Sequence, residues 1–103
     1  MRKMTVFALV IVFAFAATSQ VFAKEPRSGE VLWSTVCMGC HDTGMMDAPL
    51  AGSSEFKERL AKKGMDKLVE TAIKGINDMP PKGSCTDCSE GEIRAAIKFM
   101  IEK

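Results

Sequence analysis

The sequence predicts an all-α domain with long loops, and three observations lead there. Apolar residues after residue 23 recur at helical spacing. No run of alternating β-branched residues occurs in that part of the chain, and glycines and prolines collect between the periodic stretches rather than inside them.

The first 23 of the 103 residues read as a leader rather than as part of the fold. Met1-Arg2-Lys3 is basic, Val6 to Ala17 is an uncharged, mostly apolar run of 12 residues, and Val21-Phe22-Ala23 supplies small residues for cleavage. A bilayer-spanning helix needs roughly 20 apolar residues, so this run suits an export signal better than an anchor. Cleavage after Ala23 leaves residues 24–103 as one exported domain. The full chain has 14 basic and 13 acidic side chains; without Arg2 and Lys3 the balance is 12 against 13. No concentrated positive face is available for a phosphate backbone, which excludes nucleic acid as a partner.

From Lys24 to Ser28 a polar lead-in contains Pro26. A helix is expected from Gly29, with Val31, Leu32, Trp33 and Val36 apolar, running into Cys37-Met38-Gly39-Cys40-His41. Residues 42–53 hold Gly44, Pro49 and Gly52 without a sustained period and read as a loop. Ser54 to Lys63 is a short helix with Phe56 and Leu60 one turn apart, stopped by Gly64. Met65 to Ile76 is a stronger one, with Leu68, Val69, Ala72, Ile73 and Ile76 forming one buried stripe. Pro80 and Pro81 remove two backbone donors and push Met79 towards extended geometry, so 78–83 is neither helix interior nor central strand. Ser89 followed by Glu92 at the third position is a capping box. Behind it Ile93, Ala96, Ile97, Met100 and Ile101 make the apolar face of a last helix.

A domain of this size rarely stabilises itself by apolar burial alone. All four cysteines lie in two C-x-x-C pairs, and one pair carries chemistry beyond a crosslink. Cys37-Met-Gly-Cys40-His41 is the C-x-x-C-H pattern of covalent haem attachment. On a helix Cys37, Cys40 and His41 occupy i, i+3 and i+4 and project from one face. Two thiols can form thioethers to the two vinyl groups on one porphyrin edge, while the histidine, the only one in the chain, reaches the iron. A bare Cys37–Cys40 redox disulfide would expect flanking strands, and none are indicated. A zinc site from both pairs would have to close over the 44 residues 41–84, against about 15–20 in a zinc ribbon.

The iron's second axial position calls for a ligand after the motif. Met45 and Met46 stand four and five positions after His41, a span of at most about 17 Å fully extended, barely enough to round the macrocycle. Met65 and Met100 sit on helix faces, where core packing accounts for them. Met79 lies 38 residues beyond His41 on a proline-stiffened loop, and the thioether, a weak ligand, needs such a loop to hold it in place. His/Met ligation raises the reduction potential relative to harder donors. The alternative for Met79 is a loop methionine that covers apolar surface. Cys85 and Cys88 are followed by Ser89, not histidine, so they make no second haem site. In an oxidising compartment they bond to each other or stand as a redox-active thiol pair.

These motifs in order, C-M-G-C-H, K-G-M-D-K-L, M-P-P-K-G, C-T-D-C-S and an amphipathic terminal helix, resemble the short bacterial cytochrome c5 family from Gly29 to the end. The resemblance implies a class I cytochrome c fold, with helices wrapped around one covalent haem c. It implies thioethers at Cys37 and Cys40, axial ligands His41 and Met79, and a Cys85–Cys88 disulfide. It also implies a periplasmic or membrane-associated carrier of single electrons, not an enzyme. Expected partners are redox proteins such as a quinol-oxidising complex and a terminal oxidase or reductase. In this class the first and last helices cross, a role that falls to Gly29 and Trp33 against Ala96 and Phe99. Many relatives place a tryptophan near the haem propionates around residues 53–58. Here the nearest aromatic is Phe56, which cannot donate a hydrogen bond. The rival functions are a five-coordinate haem protein that binds a small ligand or acts as a peroxidase or sensor, and a zinc or thiol-redox module without haem.

Overall fold

The computed structural model describes residues 24–103; the leader and its cleavage site lie outside the described residues. Five α-helical segments are present: α1 (Gly29–Leu32), α2 (Met38–His41), α3 (Ser54–Lys63), α4 (Met65–Lys74) and α5 (Glu90–Glu102). Among the described residues there is no strand, only one isolated antiparallel bridge between Ile76 and Met79.

Side-chain caps begin three of these helices. Ser28 Oγ accepts from the Val31 amide at 3.2 Å, and Ser53 Oγ accepts from the Phe56 amide at 3.4 Å. The box at α5 closes in both directions, with Glu92 N donating to Ser89 Oγ at 3.1 Å and Ser89 N donating to Glu92 Oε1 at 3.0 Å. Each cap satisfies amides that the helix itself leaves unpaired.

α1 and α2 are one helical run joined by a π-wound turn over Trp33–Cys37, where the Met38 amide bonds the Trp33 carbonyl. The sequence indicated a regular helix here. The wide turn rotates the motif on α2 relative to the Gly29–Trp33 face, so one face packs on α5 while the other is free for chemistry. Single π turns of this kind are frequent at functional sites.

α5 crosses α1 and also packs on α4. The crossing is close enough that a Cβ on Gly29 would collide with the Ala95 carbonyl oxygen and lie 3.1 Å from Phe99 Cβ. The atoms nearest Gly29 belong to Ala95 and Phe99, and Ala96 is buried. Trp33 and Phe99 do meet, with ring centroids 6.4 Å apart, and the Lys103 ammonium sits 5.5 Å over the Trp33 ring. Ile93, Ile97, Met100 and Ile101 of α5 are all buried, with Leu32 and Val69 among the most enclosed side chains. Full burial of such a side chain contributes about 1.5–3 kcal/mol.

α4 ends at Lys74, two residues earlier than its apolar stripe suggests. Gly75 adopts φ 83°, ψ 156°, a combination essentially restricted to glycine. The chain turns there, and Ile76 is left 41% exposed instead of joining the core.

Candidate haem site

Cys40 and His41 lie on α2, and Cys37 closes the π turn that feeds it. Cys37 and Cys40 are both free and half-buried. Burial pushes the Cys37 thiol above its ordinary pKa, whereas a redox-active or nucleophilic cysteine is normally held below it. That disfavours the bare redox pair. The structure does not bring the two C-x-x-C pairs together. Among the described residues the one cluster of three metal-capable side chains is Cys85, Asp87 and Cys88, and the two sulfurs of that cluster lie within bonding distance of each other, with Cα atoms 5.4 Å apart.

His41 is buried. Its Nδ1 lies 2.7 Å from the Pro49 carbonyl oxygen. A carbonyl only accepts, so Nδ1 carries the proton and Nε2 keeps its lone pair; this second bond fixes tautomer and ring plane as metal-bound histidines require. The loop that supplies Pro49 is itself fastened. Ala51 N donates to the His41 carbonyl at 2.9 Å, and Gly52 N donates to the Met100 carbonyl at 2.7 Å. Phe56 packs on the imidazole, centroids 5.6 Å apart, so the aromatic at the departure from the family pattern supports the histidine ring.

Met79 is half-buried and packs against the core. Its backbone is pinned to Ile76 in both directions, with Met79 N donating to the Ile76 carbonyl at 2.8 Å and Ile76 N donating to the Met79 carbonyl at 3.1 Å. The 79–81 backbone then lies directly on Gly75. A Cβ there would sit 2.8 Å from the Met79 carbonyl oxygen and 2.9 Å from Pro81 N. Beyond it a 3-10 turn, Pro81–Ser84, reaches the π turn of the motif helix. A Cβ on Gly83 would touch Val36 Cγ1 at 3.7 Å and Met79 Cε at 3.9 Å. The thioether methyl of Met79 and the residue preceding Cys37 thus flank the same glycine. The other downstream methionines are placed differently. Met100 is in the core, Met65 packs against it, and Met45 and Met46 are 53% and 58% exposed.

These residues fit an iron porphyrin. Two unpaired thiols stand three residues apart, one imidazole has a free Nε2 beside them, and one thioether on a braced loop approaches the same helix. Two shallow surface clefts lie elsewhere, one lined by Asp66, Glu70, Lys74, Glu90 and Arg94 and one by Gly44, Asp47, Leu50 and Glu55; neither borders the motif or Met79.

Arg27, assigned by sequence only to a polar lead-in, is a structural centre. Its Nε donates to Glu92 Oε2 at 2.7 Å and its backbone amide to the same oxygen at 2.9 Å. The hydrogen bond from Arg27, followed by that from the Ser89 amide, holds the Glu92 carboxyl far below the usual carboxylate range. No motif announces such a residue; the signal available in sequence was a lone arginine near a capping glutamate 65 positions away.

The family described as cytochrome C oxidase, cbb3-type, subunit III matches residues 24–100. The chain is 47% identical over 76 residues to cytochrome c5 of Azotobacter vinelandii, covering 72% of this chain and 92% of that protein. A mono-haem ferrocytochrome c from Shewanella putrefaciens superposes with a TM-score of 0.66 at 38% identity, over 75% of this chain and 95% of that one. A chain from a crystal structure of an electron-transfer complex of nitrite reductase with cytochrome c superposes with a TM-score of 0.67 at 33% identity, over 77% of this chain and 96% of that one.

Proposed function

This chain belongs to the cytochrome c5-like class I cytochromes c, and from that premise we propose that it shuttles single electrons between extracytoplasmic redox proteins through a His41/Met79-ligated haem. It is a monohaem cytochrome c, an electron-transfer protein and not an enzyme, and its cofactor is covalently attached haem c. When bound, haem c supplies an iron that alternates between ferrous and ferric states.

The chain's own residues do the rest. Cys37 and Cys40 hold the porphyrin edge as thioethers, so the cofactor is not lost after export. His41 presents Nε2, its ring fixed by the Pro49 carbonyl and braced by Phe56. Met79 presents its sulfur from a segment clamped at Ile76 and seated on Gly75, which opposes dissociation of a weak ligand. The Cys85–Cys88 disulfide closes the downstream end of that segment. His41 and Met79, both held by their surroundings, would bind the group in either oxidation state with little movement of the chain. A near-zero net charge makes recognition of partners local rather than steered from a distance.

Residues 1–23 act as a cleaved export signal, and the mature domain works in the periplasm or at the membrane surface. No helix among the described residues is long and apolar enough to cross a membrane. Its partners are redox proteins. A quinol-oxidising complex as donor and a terminal oxidase or reductase as acceptor suit a carrier of this kind, and the complex with nitrite reductase supplies one example among similar chains.

The observation that carries this reading is the single histidine, its Nδ1 engaged and Nε2 free, directly after two unpaired cysteines. The test is a visible and near-infrared spectrum of protein matured in the periplasm. Sharp reduced bands, a weak near-infrared band when oxidised, and no carbon monoxide binding are expected. A broad high-spin spectrum that responds to carbon monoxide would replace Met79 ligation with an open iron site.

A further inference from the structure

The Pro81–Ser84 turn is an unusual support for a ligand loop. Lys82, Gly83 and Ser84 all have positive φ, at 56°, 58° and 72°. Two of these are not glycine, and such backbone persists only when its surroundings hold it. Gly83 N donates to the Pro80 carbonyl at 2.9 Å, and the other local hydrogen bonds of the turn end in the next four residues. Cys85 N donates to the Lys82 carbonyl at 3.0 Å and Cys88 N to the Cys85 carbonyl at 3.1 Å, while Lys82 Nζ reaches the Cys88 carbonyl at 2.8 Å. The downstream side of the turn is therefore as fixed as the 85–88 segment.

That segment is exposed at Thr86 and Asp87; Cys85 and Cys88 are buried in the core, and the polar tie from the segment's side chains to the rest of the molecule is Arg27. The guanidinium Nη2 lies 3.5 Å from Cys88 Sγ, 3.8 Å from Cys85 Sγ and 3.3 Å from Asp87 Oδ1. The same group bonds both carboxylate oxygens of Glu92, at 2.7 and 3.3 Å. Apart from the Arg94–Asp66 ion pair, every side-chain hydrogen bond or ion pair between distant parts of the described chain comes from this arginine. Its planar fork meets a carboxylate on the rigid first turn of α5 and the sulfurs of the segment at once, a geometry that a lysine cannot reproduce.

We infer that Arg27 is a positioning residue for Met79: it clamps the 85–88 segment to the start of α5 and so keeps the 79–84 turn closed on the motif helix. The inference rests on Met79 being the iron's second axial ligand. Arg27 bonds no atom of Met79. It acts by keeping rare the open state in which the thioether has left and an external ligand can enter.

The test is an imidazole titration of the oxidised holoprotein, followed by loss of the near-infrared thioether band. Apparent imidazole affinity scales with the open population, so Arg27→Gln should tighten binding roughly tenfold or more. Arg27→Lys should fall between it and the unaltered protein. Arg94→Gln, which cuts the 2.8 Å Arg94–Asp66 pair between α5 and α4, is the control for general loosening and should leave imidazole affinity unchanged. Should Arg27→Gln fail to mature, Asp87→Asn and Glu92→Gln weaken the same clamp from its other side and should shift affinity in the same direction. Unchanged imidazole affinity in the clamp variants, or an equal change in Arg94→Gln, overturns the inference. Absence of the thioether band in unaltered protein overturns the ligation reading and this inference with it, and is told apart because no substitution is involved.

Discussion

Replacing Gly75 by alanine addresses the seat of the ligand loop directly. The residue has φ 83° and ψ 156°, and a non-glycine residue held in such a region costs about 1–3 kcal/mol. The new Cβ would also press on backbone, 2.8 Å from the Met79 carbonyl oxygen and 3.1 Å from Pro80 C. Overpacking of that kind costs about 1–3 kcal/mol. Neither neighbour is the flexible end of a side chain, so the strain is relieved only by moving 79–81 off α4. If about 2–4 kcal/mol is released on opening, the open population rises roughly 30- to 700-fold. The assay is the near-infrared thioether band of the oxidised holoprotein together with imidazole affinity. Gly75→Ala should weaken the band and tighten imidazole binding by at least about tenfold, while haem stays covalently attached. A variant with the band at full intensity and imidazole affinity unchanged would refute the idea that backbone contact at Gly75 seats Met79.

Two further outcomes follow from the packing and the charges. Gly29→Ala drives a Cβ into the Ala95 backbone. It should cost about 1–2 kcal/mol net of helix propensity, lowering the thermal midpoint by roughly 5–15 °C with an unchanged visible spectrum; a raised midpoint would mean the helices do not cross there. Glu92 titrates far below its unfolded value of about 4.3 because Arg27 and the Ser89 amide bond its carboxylate. The stabilisation is therefore complete above about pH 4.3 and is lost as pH falls towards the folded pKa. Denaturant midpoints of Glu92→Gln should lie below the unaltered protein at pH 7, with a smaller gap at pH 3. An equal gap at both would show that the charge contributes nothing.

Much of this arrangement was legible in residue types and spacings, and the exceptions have physical causes. Ser89 announces α5 because its short hydroxyl side chain satisfies a free amide, a local effect that sequence records. Helical spacing likewise marks the buried face of α5. Ile76 was misread because periodicity continues past Gly75, whereas the backbone turns there under contact from 79–81. The π turn at Trp33–Cys37 has no residue signature, since it arises where α1 must pack on α5 while α2 presents the motif elsewhere. That Ala95 supplies the atoms nearest Gly29 was not legible, because one helix's period does not determine its register against another. Arg27 was missed for a related reason: its partners are 58 to 65 residues away, and only the folded chain brings them together. The motif residues themselves were visible because the spacing of Cys37, Cys40 and His41 is imposed by the cofactor's dimensions.

The most direct test is a proton NMR spectrum of the reduced, diamagnetic holoprotein with isotope-labelled methionine methyl groups. A methyl held over the haem face is shifted far upfield by the ring current. One such methionine resonance is expected in the unaltered protein, lost in Met79→Ala and retained in Met65→Ala and Met46→Ala. No upfield methionine methyl, or one that survives Met79→Ala, would contradict a haem enclosed between His41 and Met79.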